Sequence, residues 1–288
     1  MPRSSPQPAP APVAVPGGPE HADVLLSTGV RLRYLRQGDP EGHPVILLHG
    51  LADSGFSFSR LLPGLSRAYR IYAPDQRGHG ESDRPASGFG PGDMAADVLA
   101  FMDALGIDRA TLVGHSMGTF VAQRAARAAP RRIAGLVLID SATTARNEVL
   151  LEVQRSLATL PETVPWDFAM EFQRSTAHAP LPQEFLTRVV EESLKAPSRV
   201  WRAALAGLLE EERFTGLGDS RMPVLLLWGE RDGLFTRADQ EALLEALPVA
   251  RLKVYRETGH APHWERPRQV VRDLERFLRT ARPEGARA

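Results

Sequence analysis

The segment from Ala110 to Ala126 constrains the fold most strongly. An apolar run, residues 110–113, leads into Gly114-His115-Ser116-Met117-Gly118, and a segment with helical spacing of apolar residues follows. This order predicts a strand, a tight turn and a helix. Glycines at 114 and 118 permit the sharp turn, since a Cβ at either position would crowd the neighbouring strand or helix. Ser116 would then project from the turn, where a base could activate its hydroxyl as a nucleophile.

Strands and helices alternate along most of the remaining chain. Continuous apolar runs predict strands buried on both faces of a parallel sheet at 44–48, 133–139 and 223–228. Residues 23–27 and 30–35 alternate about Thr28-Gly29 and predict a hairpin of two antiparallel edge strands. With further strands at 69–74, 110–113 and 251–255, we expect an α/β fold with a mostly parallel, doubly wound sheet of about eight strands. Helices are predicted at about 55–67, 91–105, 237–246 and 268–280.

The domain organisation follows from where this alternation stops. Residues 142–214 contain four helical patterns and no strand pattern, so we expect an inserted all-helical cap, which could act as a lid. The sheet and its helices would occupy 21–141 and 215–281. The Pro-rich residues 1–20 are expected to form a disordered tail, and 282–288 a disordered C-terminus.

Composition excludes several classes of function. Lys plus Arg and Asp plus Glu each number 35, so no net charge attracts nucleic acid or an anionic membrane. The absence of cysteine excludes disulfides, thiolate metal sites and a cysteine nucleophile. No apolar run approaches the ~20 residues of a membrane span, and the N-terminus lacks the apolar core of a secretory signal. We expect a cytoplasmic monomer or homodimer without a metal or other cofactor.

A serine nucleophile needs a base, and an ordinary histidine exchanges protons near neutral pH. His260 follows the last predicted strand and should emerge at the same sheet edge as Ser116. His263 is the main alternative for the base, but it is closer to the final helix and is interpreted as a structural or rim residue. Asp232, directly after the strand at 223–228, is the expected carboxylate partner of the base. Asp140 also ends a strand at that edge and stays an alternative, although it could instead cap the first helix of the insertion.

The chain resembles the α/β-hydrolase fold superfamily from about Asp23 to the last helix. The resemblance depends on the order Ser116, Asp232, His260 and on a set of motifs: His49-Gly50 after a buried strand, Asp75-Gln76-Arg77-Gly78-His79-Gly80-Glu81-Ser82, Gly114-His115-Ser116-Met117-Gly118, Gly229-Glu230-Arg231-Asp232 and Thr258-Gly259-His260. It is similar to the serine-nucleophile, esterase-like branch with a helical cap, since relatives with alkyl-ester intermediates carry aspartate at the turn.

The resemblance implies a catalytic triad of Ser116, Asp232 and His260. It also implies an oxyanion hole formed by the backbone N–H groups of Leu51 and Met117. Asp75 and Arg77 would support the edge of the sheet at which the active site lies. A mainly apolar substrate pocket is expected over Ser116, and its candidate residues are His49, His115, Trp166, Phe168 and Trp201. The alternative for the two histidines is a structural role in support of the catalytic groups, and the alternative for the aromatics is to pack the cap helices against each other and against the main domain.

The expected reaction is hydrolysis of a small or medium carboxylic ester through an acyl-enzyme, with the ester and water as the partners. The alternatives are other reactions of the same triad, namely C–C bond hydrolysis, lactone opening or cofactor-free perhydrolysis. A hydrolase-like ligand receptor is the alternative without catalysis.

Overall fold

The computed structural model describes residues 19–218 and 220–281. These residues contain an eight-stranded sheet in the order β1-β2-β4-β3-β5-β6-β7-β8. The strands are β1 (Glu20–Leu25), β2 (Arg31–Gly38), β3 (His43–Leu48), β4 (Tyr69–Pro74), β5 (Ala110–His115), β6 (Ile133–Ile139), β7 (Val224–Gly229) and β8 (Ala250–Tyr255). β1 and β2 pair antiparallel, as do β2 and β4, and all other neighbours are parallel. The predicted mostly parallel α/β sheet is confirmed.

Helices connect the strands. They are α1 (Pro91–Ala104), α2 (Met117–Ala128), α3 (Glu148–Ala158), α4 (Trp166–Ser175), α5 (Gln183–Ser193), α6 (Ser198–Glu210), α7 (Arg237–Ala246), the short α8 (Pro262–Glu265) and α9 (Pro267–Thr280). Local signals explain several of their ends. Helix α7, for example, begins with a capping box, in which the Thr236 side chain accepts from the Asp239 backbone N–H and the Asp239 carboxylate accepts from Thr236.

The apolar core lies on both faces of the sheet. Successive residues of β3 alternate between two clusters, with Val45 and Leu47 in one and Ile46 and Leu48 in the other. Every residue of β6 is buried. A central strand covered on both faces needs apolar residues at all positions, which explains the continuous runs in the sequence.

Helices α3 to α6 lie between β6 and β7, and we call them the helical insertion. Their number equals that of the helical patterns predicted in this region. Among the described residues, no helix combines the length and the apolarity needed to cross a bilayer.

The structure corrects two details near the N-terminus. β2 is not an edge strand, because β4 pairs with its other side through contacts such as Tyr34 with Pro74. Glu20 belongs to β1 rather than to a tail. The remaining predictions for the termini concern 1–18 and 282–288, which lie outside the described residues.

The helix predicted at about 55–67 is also wrong. Two short 3-10 helices, Gly55–Phe58 and Leu62–Gly64, occupy this segment. Glycine and proline have the lowest helix propensities, and Pro63-Gly64 ends the second helix after one turn. Gly55 is needed where it lies, since a Cβ there would meet the Ala73 carbonyl oxygen at 2.6 Å.

Candidate active site

Ser116 lies in a strained turn between β5 and α2. Its backbone has φ 49° and ψ −120°, a conformation that non-glycine residues rarely adopt. The neighbouring glycines make the turn possible: a Cβ on Gly114 would lie 2.4 Å from the Gly118 carbonyl oxygen, and one on Gly118 would lie 2.1 Å from that of Leu48. The close packing of β3, β5 and α2 therefore holds the serine in place.

The start of α2 gives this turn a favourable field for negative charge. Met117 is the first residue of the helix, so its N–H has no acceptor within the helix. The helix dipole also concentrates partial positive charge at this end. An oxyanion formed above Ser116 would therefore be stabilised by α2.

His260 and Asp232 are in contact at the same sheet edge. The His260 Nδ1 lies 2.9 Å from the Asp232 Oδ2, and both side chains are buried. The other carboxylate oxygen, Oδ1, accepts hydrogen bonds from the backbone N–H groups of Leu234 at 2.7 Å and Phe235 at 3.2 Å. The loop after β7 thus fixes the carboxylate, and the carboxylate fixes the imidazole.

Asp140 lies beside this pair but does not replace Asp232. Its Oδ1 accepts from the Gly229 backbone N–H at 2.8 Å, and ligand atoms of Asp140, Asp232 and His260 lie within 4.8 Å of one another. Burial, together with the negative charge of Asp232, raises the pKa of Asp140 well above its usual value. Burial therefore favours the neutral form of Asp140, and Asp232 is the carboxylate in contact with His260. The cap of α3 is Asn147, whose side chain accepts from the Leu150 N–H.

The second ring nitrogen of His260 faces a cavity that Ser116 also lines. Among the described residues, the buried Nε2 has no hydrogen-bond partner, so the predicted bond from the Ser116 hydroxyl is not formed in this geometry. Catalytic hydrogen bonds are often long before substrate binds.

The cavity over Ser116 has a mixed lining. Its apolar wall comes mainly from the helical insertion and the loop after β7, and its polar groups come from the sheet edge and α4. The lining residues are Gly50, Leu51, Asp53, His115, Ser116, Leu150, Phe172, Gln173, Thr176, Leu208, Leu234, His260 and Trp264. Leu51, the other predicted oxyanion residue, follows the end of β3 and is therefore beside Ser116.

Of the five predicted pocket residues, only His115 lines this cavity. His49 is fully buried behind it, with Nδ1 2.8 Å from the Gly50 carbonyl oxygen, while its Nε2 accepts from the Gln76 N–H at 2.9 Å. Burial also lowers the pKa of His49 well below its usual value. The neutral ring therefore braces the loop after β3.

The three aromatic residues predicted in the pocket pack elsewhere. Trp201 has no exposed surface, and its Nε1–H donates to the Ala196 carbonyl oxygen at 3.1 Å. Phe168 packs edge-on against Trp201, with ring centroids 6.1 Å apart. Trp166, at the start of α4, is 42% exposed. These aromatics join the helices of the insertion, and Phe172 is the one that reaches the cavity.

His263, interpreted from the sequence as structural, is fully buried. Its Nε2 lies 3.1 Å from the Ser57 hydroxyl, and its ring centroid is 4.3 Å from that of His115. Burial holds the pKa of His263 well below its usual value, and that of His115 at about 3. Both rings are therefore neutral supports behind Ser116.

The loop after β4 braces the edge through Asp75 and Arg77. Asp75 accepts from the backbone N–H groups of Gly55 at 2.8 Å and Glu81 at 2.9 Å. Arg77 makes a bidentate, buried ion pair with Asp97 of α1. Neither side chain lines the cavity.

The sequence reasoning missed Asp53 and Gln173 as cavity residues. Asp53 is two residues beyond Leu51 in the same loop, which was a usable signal, because that loop was already placed at the active edge. Nothing in the sequence identified Gln173, since the helical period of α4 does not say which neighbour each face meets.

Comparison with known proteins decides the family. Residues 43–267 match the family model described as alpha/beta hydrolase fold. The chain belongs to the α/β-hydrolase family. This hydrolase is 28% identical to a non-heme chloroperoxidase from Streptomyces lividans, over 89% of this chain and 99% of that protein.

Two solved structures extend the comparison. A candidate aryl esterase from Burkholderia cenocepacia superposes on this α/β-hydrolase with a TM-score of 0.78 and 29% identity, over 91% of this chain and 99% of that one. A thermophilic esterase from Thermogutta terrifontis gives a TM-score of 0.79 and 25% identity, over 92% and 100%. The relatives thus include both esterases and a chloroperoxidase, so the family does not define the substrate.

Proposed function

We propose that this α/β-hydrolase is a serine esterase that cleaves a small or medium carboxylic ester through an acyl-enzyme. Ser116 is the nucleophile, His260 the general base and Asp232 the acid that orients it. The observation that carries the proposal is the contact of Asp232 with His260 beside a cavity into which the strained Ser116 turn opens. The similarity to two proteins described as esterases supports it.

The chemistry follows from these positions. Ser116 Oγ attacks the ester carbonyl carbon while His260 Nε2 takes its proton, and Asp232 stabilises the resulting imidazolium. The backbone N–H groups of Leu51 and Met117 receive the oxyanion. His260 then protonates the departing alcohol, and water repeats the sequence to release the acid.

Serine at the turn is what favours carbonyl substrates. A serine alkoxide attacking a carbonyl gives an acyl ester that water can hydrolyse through the same oxyanion hole. Leu150, Phe172, Leu208 and Leu234 line the cavity and would contact the apolar part of the ester.

The test is turnover of p-nitrophenyl acetate and butyrate, combined with labelling by a fluorophosphonate. We expect Ser116→Ala to abolish turnover and the label to be found on the peptide that contains Ser116. Ser59→Ala, a change at a serine outside the cavity lining, is the matched control and should retain both. Wild-type protein that hydrolyses neither ester, or a label on another serine, would refute the proposal.

Perhydrolysis is a second candidate, and the similarity to the non-heme chloroperoxidase favours it. Hydrogen peroxide would replace water in attacking the acyl-enzyme, so acetate and peroxide would yield peracetic acid and water. Peracid formation that is lost in Ser116→Ala would establish this activity; its absence would leave hydrolysis alone.

A further inference from the structure

Asp53 is a carboxyl group in the active-site cavity that the proposed mechanism does not use. It is 4% exposed and lines the cavity together with Ser116 and His260. Burial raises the pKa of Asp53 to about 8, against the opposing effect of hydrogen bonds from Ser57 and Gln173. At neutral pH the carboxyl therefore carries a proton that must have an acceptor.

The contact of the carboxyl with Gln173 does not offer that acceptor. The Gln173 Nε2 lies 3.2 Å from the Asp53 Oδ1, and an amide nitrogen only donates. A second bond fixes this orientation, because the same nitrogen donates to the Ser193 hydroxyl at 2.8 Å, which itself donates to the Val189 carbonyl oxygen.

The Ser57 side offers two proton arrangements. Ser57 Oγ lies 3.0 Å from the Asp53 Oδ2 and 3.1 Å from the His263 Nε2, and it accepts from the Trp264 Nε1–H. In the first arrangement Asp53 donates to Ser57, and Ser57 donates to His263. The imidazole proton then lies on Nδ1, which is buried and has no partner among the described residues. A buried donor without an acceptor costs about 1–3 kcal/mol.

The second arrangement moves the unpaired donor from His263 to Asp53. His263 Nε2–H donates to Ser57, and Ser57 donates to the Asp53 Oδ2. The carboxyl proton of Asp53 then lies on Oδ1, the oxygen without a fixed acceptor. Asp53 lines the cavity and His263 does not. The unpaired donor therefore belongs to a residue that lines the cavity, where a bound molecule could accept from it.

We propose that the carboxyl O–H of Asp53 is a specificity determinant that donates a hydrogen bond to a second oxygen of the substrate, such as a ketone carbonyl, beyond the ester group. This inference rests on the proposed esterase function and adds the class of ester, one that bears an oxo substituent on its acyl or alcohol part.

The proton makes this preference depend on pH. Above about pH 8 the carboxylate no longer donates and repels the carbonyl dipole, so the preference is present below that pH and lost above it. The other titratable groups facing Asp53 are Glu192 of α5, which is paired with Arg188 and Lys195, and His263 of α8, which burial keeps neutral. His115 is neutral too, and any effect of His260 is the same for both esters of a pair and cancels in their ratio.

The experiment compares kcat/KM within two matched pairs of esters. The acyl pair is p-nitrophenyl 4-oxopentanoate against pentanoate, and the alcohol pair is 3-oxobutyl against butyl butyrate. We expect the oxo ester to be preferred by about tenfold in at least one pair at pH 7, the effect of one hydrogen bond, and the ratio to approach one by pH 9.5. A ratio near one in both pairs at pH 7 would overturn the inference.

Two variants of Asp53 assign the effect. Asp53→Asn has an N–H donor that does not titrate, so its preference should persist at pH 9.5, whereas Asp53→Leu should lose the preference at every pH. Asp167→Leu, at an exposed aspartate of α4, is the control and should behave as wild type. A preference that survives Asp53→Leu, or one that falls at high pH in Asp53→Asn as in wild type, would refute the role. If the leucine variant does not fold, the asparagine variant still decides.

Failure of this inference differs from failure of the proposed function. If the plain esters are not hydrolysed by a reaction that needs Ser116, the esterase proposal fails. If they are hydrolysed and only the oxo preference is missing, the role of Asp53 fails.

Discussion

Replacing Asp232 by asparagine tests how His260 is oriented. The Asp232 Oδ1 accepts two backbone N–H groups, and Oδ2 accepts from the His260 Nδ1–H. An asparagine amide offers one acceptor and one donor in place of two acceptors. The orientation of the amide therefore decides whether the backbone contacts or the His260 contact is preserved.

The structure predicts this orientation. Turning the amide NH2 toward the two backbone donors would leave both unsatisfied, at about 1–3 kcal/mol each, whereas turning it toward His260 disturbs a single bond. The amide oxygen should therefore stay with Leu234 and Phe235, and the NH2 should face Nδ1. The imidazole then carries its proton on Nε2 and cannot accept one from Ser116. In a serine protease the corresponding change of tautomer lowers kcat about 10⁴-fold, which is about 5 kcal/mol.

The assay is kcat/KM for p-nitrophenyl butyrate at neutral pH, with circular dichroism to check the fold. We expect Asp232→Asn to lose about 10⁴ in rate while staying folded. Asp140→Asn is the matched control: because burial raises the pKa of Asp140 and favours its neutral form, an amide of the same shape should keep kcat/KM within about tenfold. An Asp232→Asn variant with more than a tenth of wild-type activity, or a larger loss from Asp140→Asn, would refute the assignment.

Two further substitutions test the packing around the site. Gly118→Ala would bring a Cβ within 2.1 Å of the Leu48 carbonyl oxygen, so α2 must shift and kcat/KM should fall at least about 10²-fold. Gly92→Ala in α1 is the control, because its Cβ would meet no atom nearer than 3.7 Å, and it should leave kcat/KM unchanged. Equal activities of the two variants would contradict the steric explanation. Trp201→Ala should lower the free energy of unfolding by about 3–5 kcal/mol in urea titrations, because the indole is fully buried against Phe172; a loss below about 1 kcal/mol would show that the insertion repacks around the gap.

The residues that meet at the carboxyl edge of the sheet could be predicted because each of them follows the end of a strand. Ser116, Asp232 and His260 each come after a strand of the parallel part of the sheet, and parallel strands in one sheet place their carboxyl ends at the same edge. The Asp232 contact with His260 needed only that rule. The hydrogen bond between Ser116 and His260 depends on rotamers and on the position of a loop, which strand order does not fix.

The cavity wall could not be predicted in the same way. A helical period identifies the buried face of a helix but not whether that face meets another helix or an open space. Phe168 and Phe172 are one turn apart on α4, and both contact Trp201, yet only Phe172 also lines the cavity. The difference depends on how α4 packs against its neighbours, including Trp201 of α6, and neither sequence segment specifies that packing alone.

Burial of the imidazoles around His260 bears on its proposed role as the base. His115 lies close to His260, with ring centroids 5.1 Å apart, and its Nε2 lies 2.9 Å from the His260 carbonyl oxygen. Burial, with the charge of His260 as a smaller cause, lowers the pKa of His115 to about 3, and that of His263 is lowered as well. In the proposed mechanism, a proton taken from Ser116 would therefore stay on His260, the ring in contact with Asp232, rather than pass to a neighbour that could not return it to the leaving alcohol.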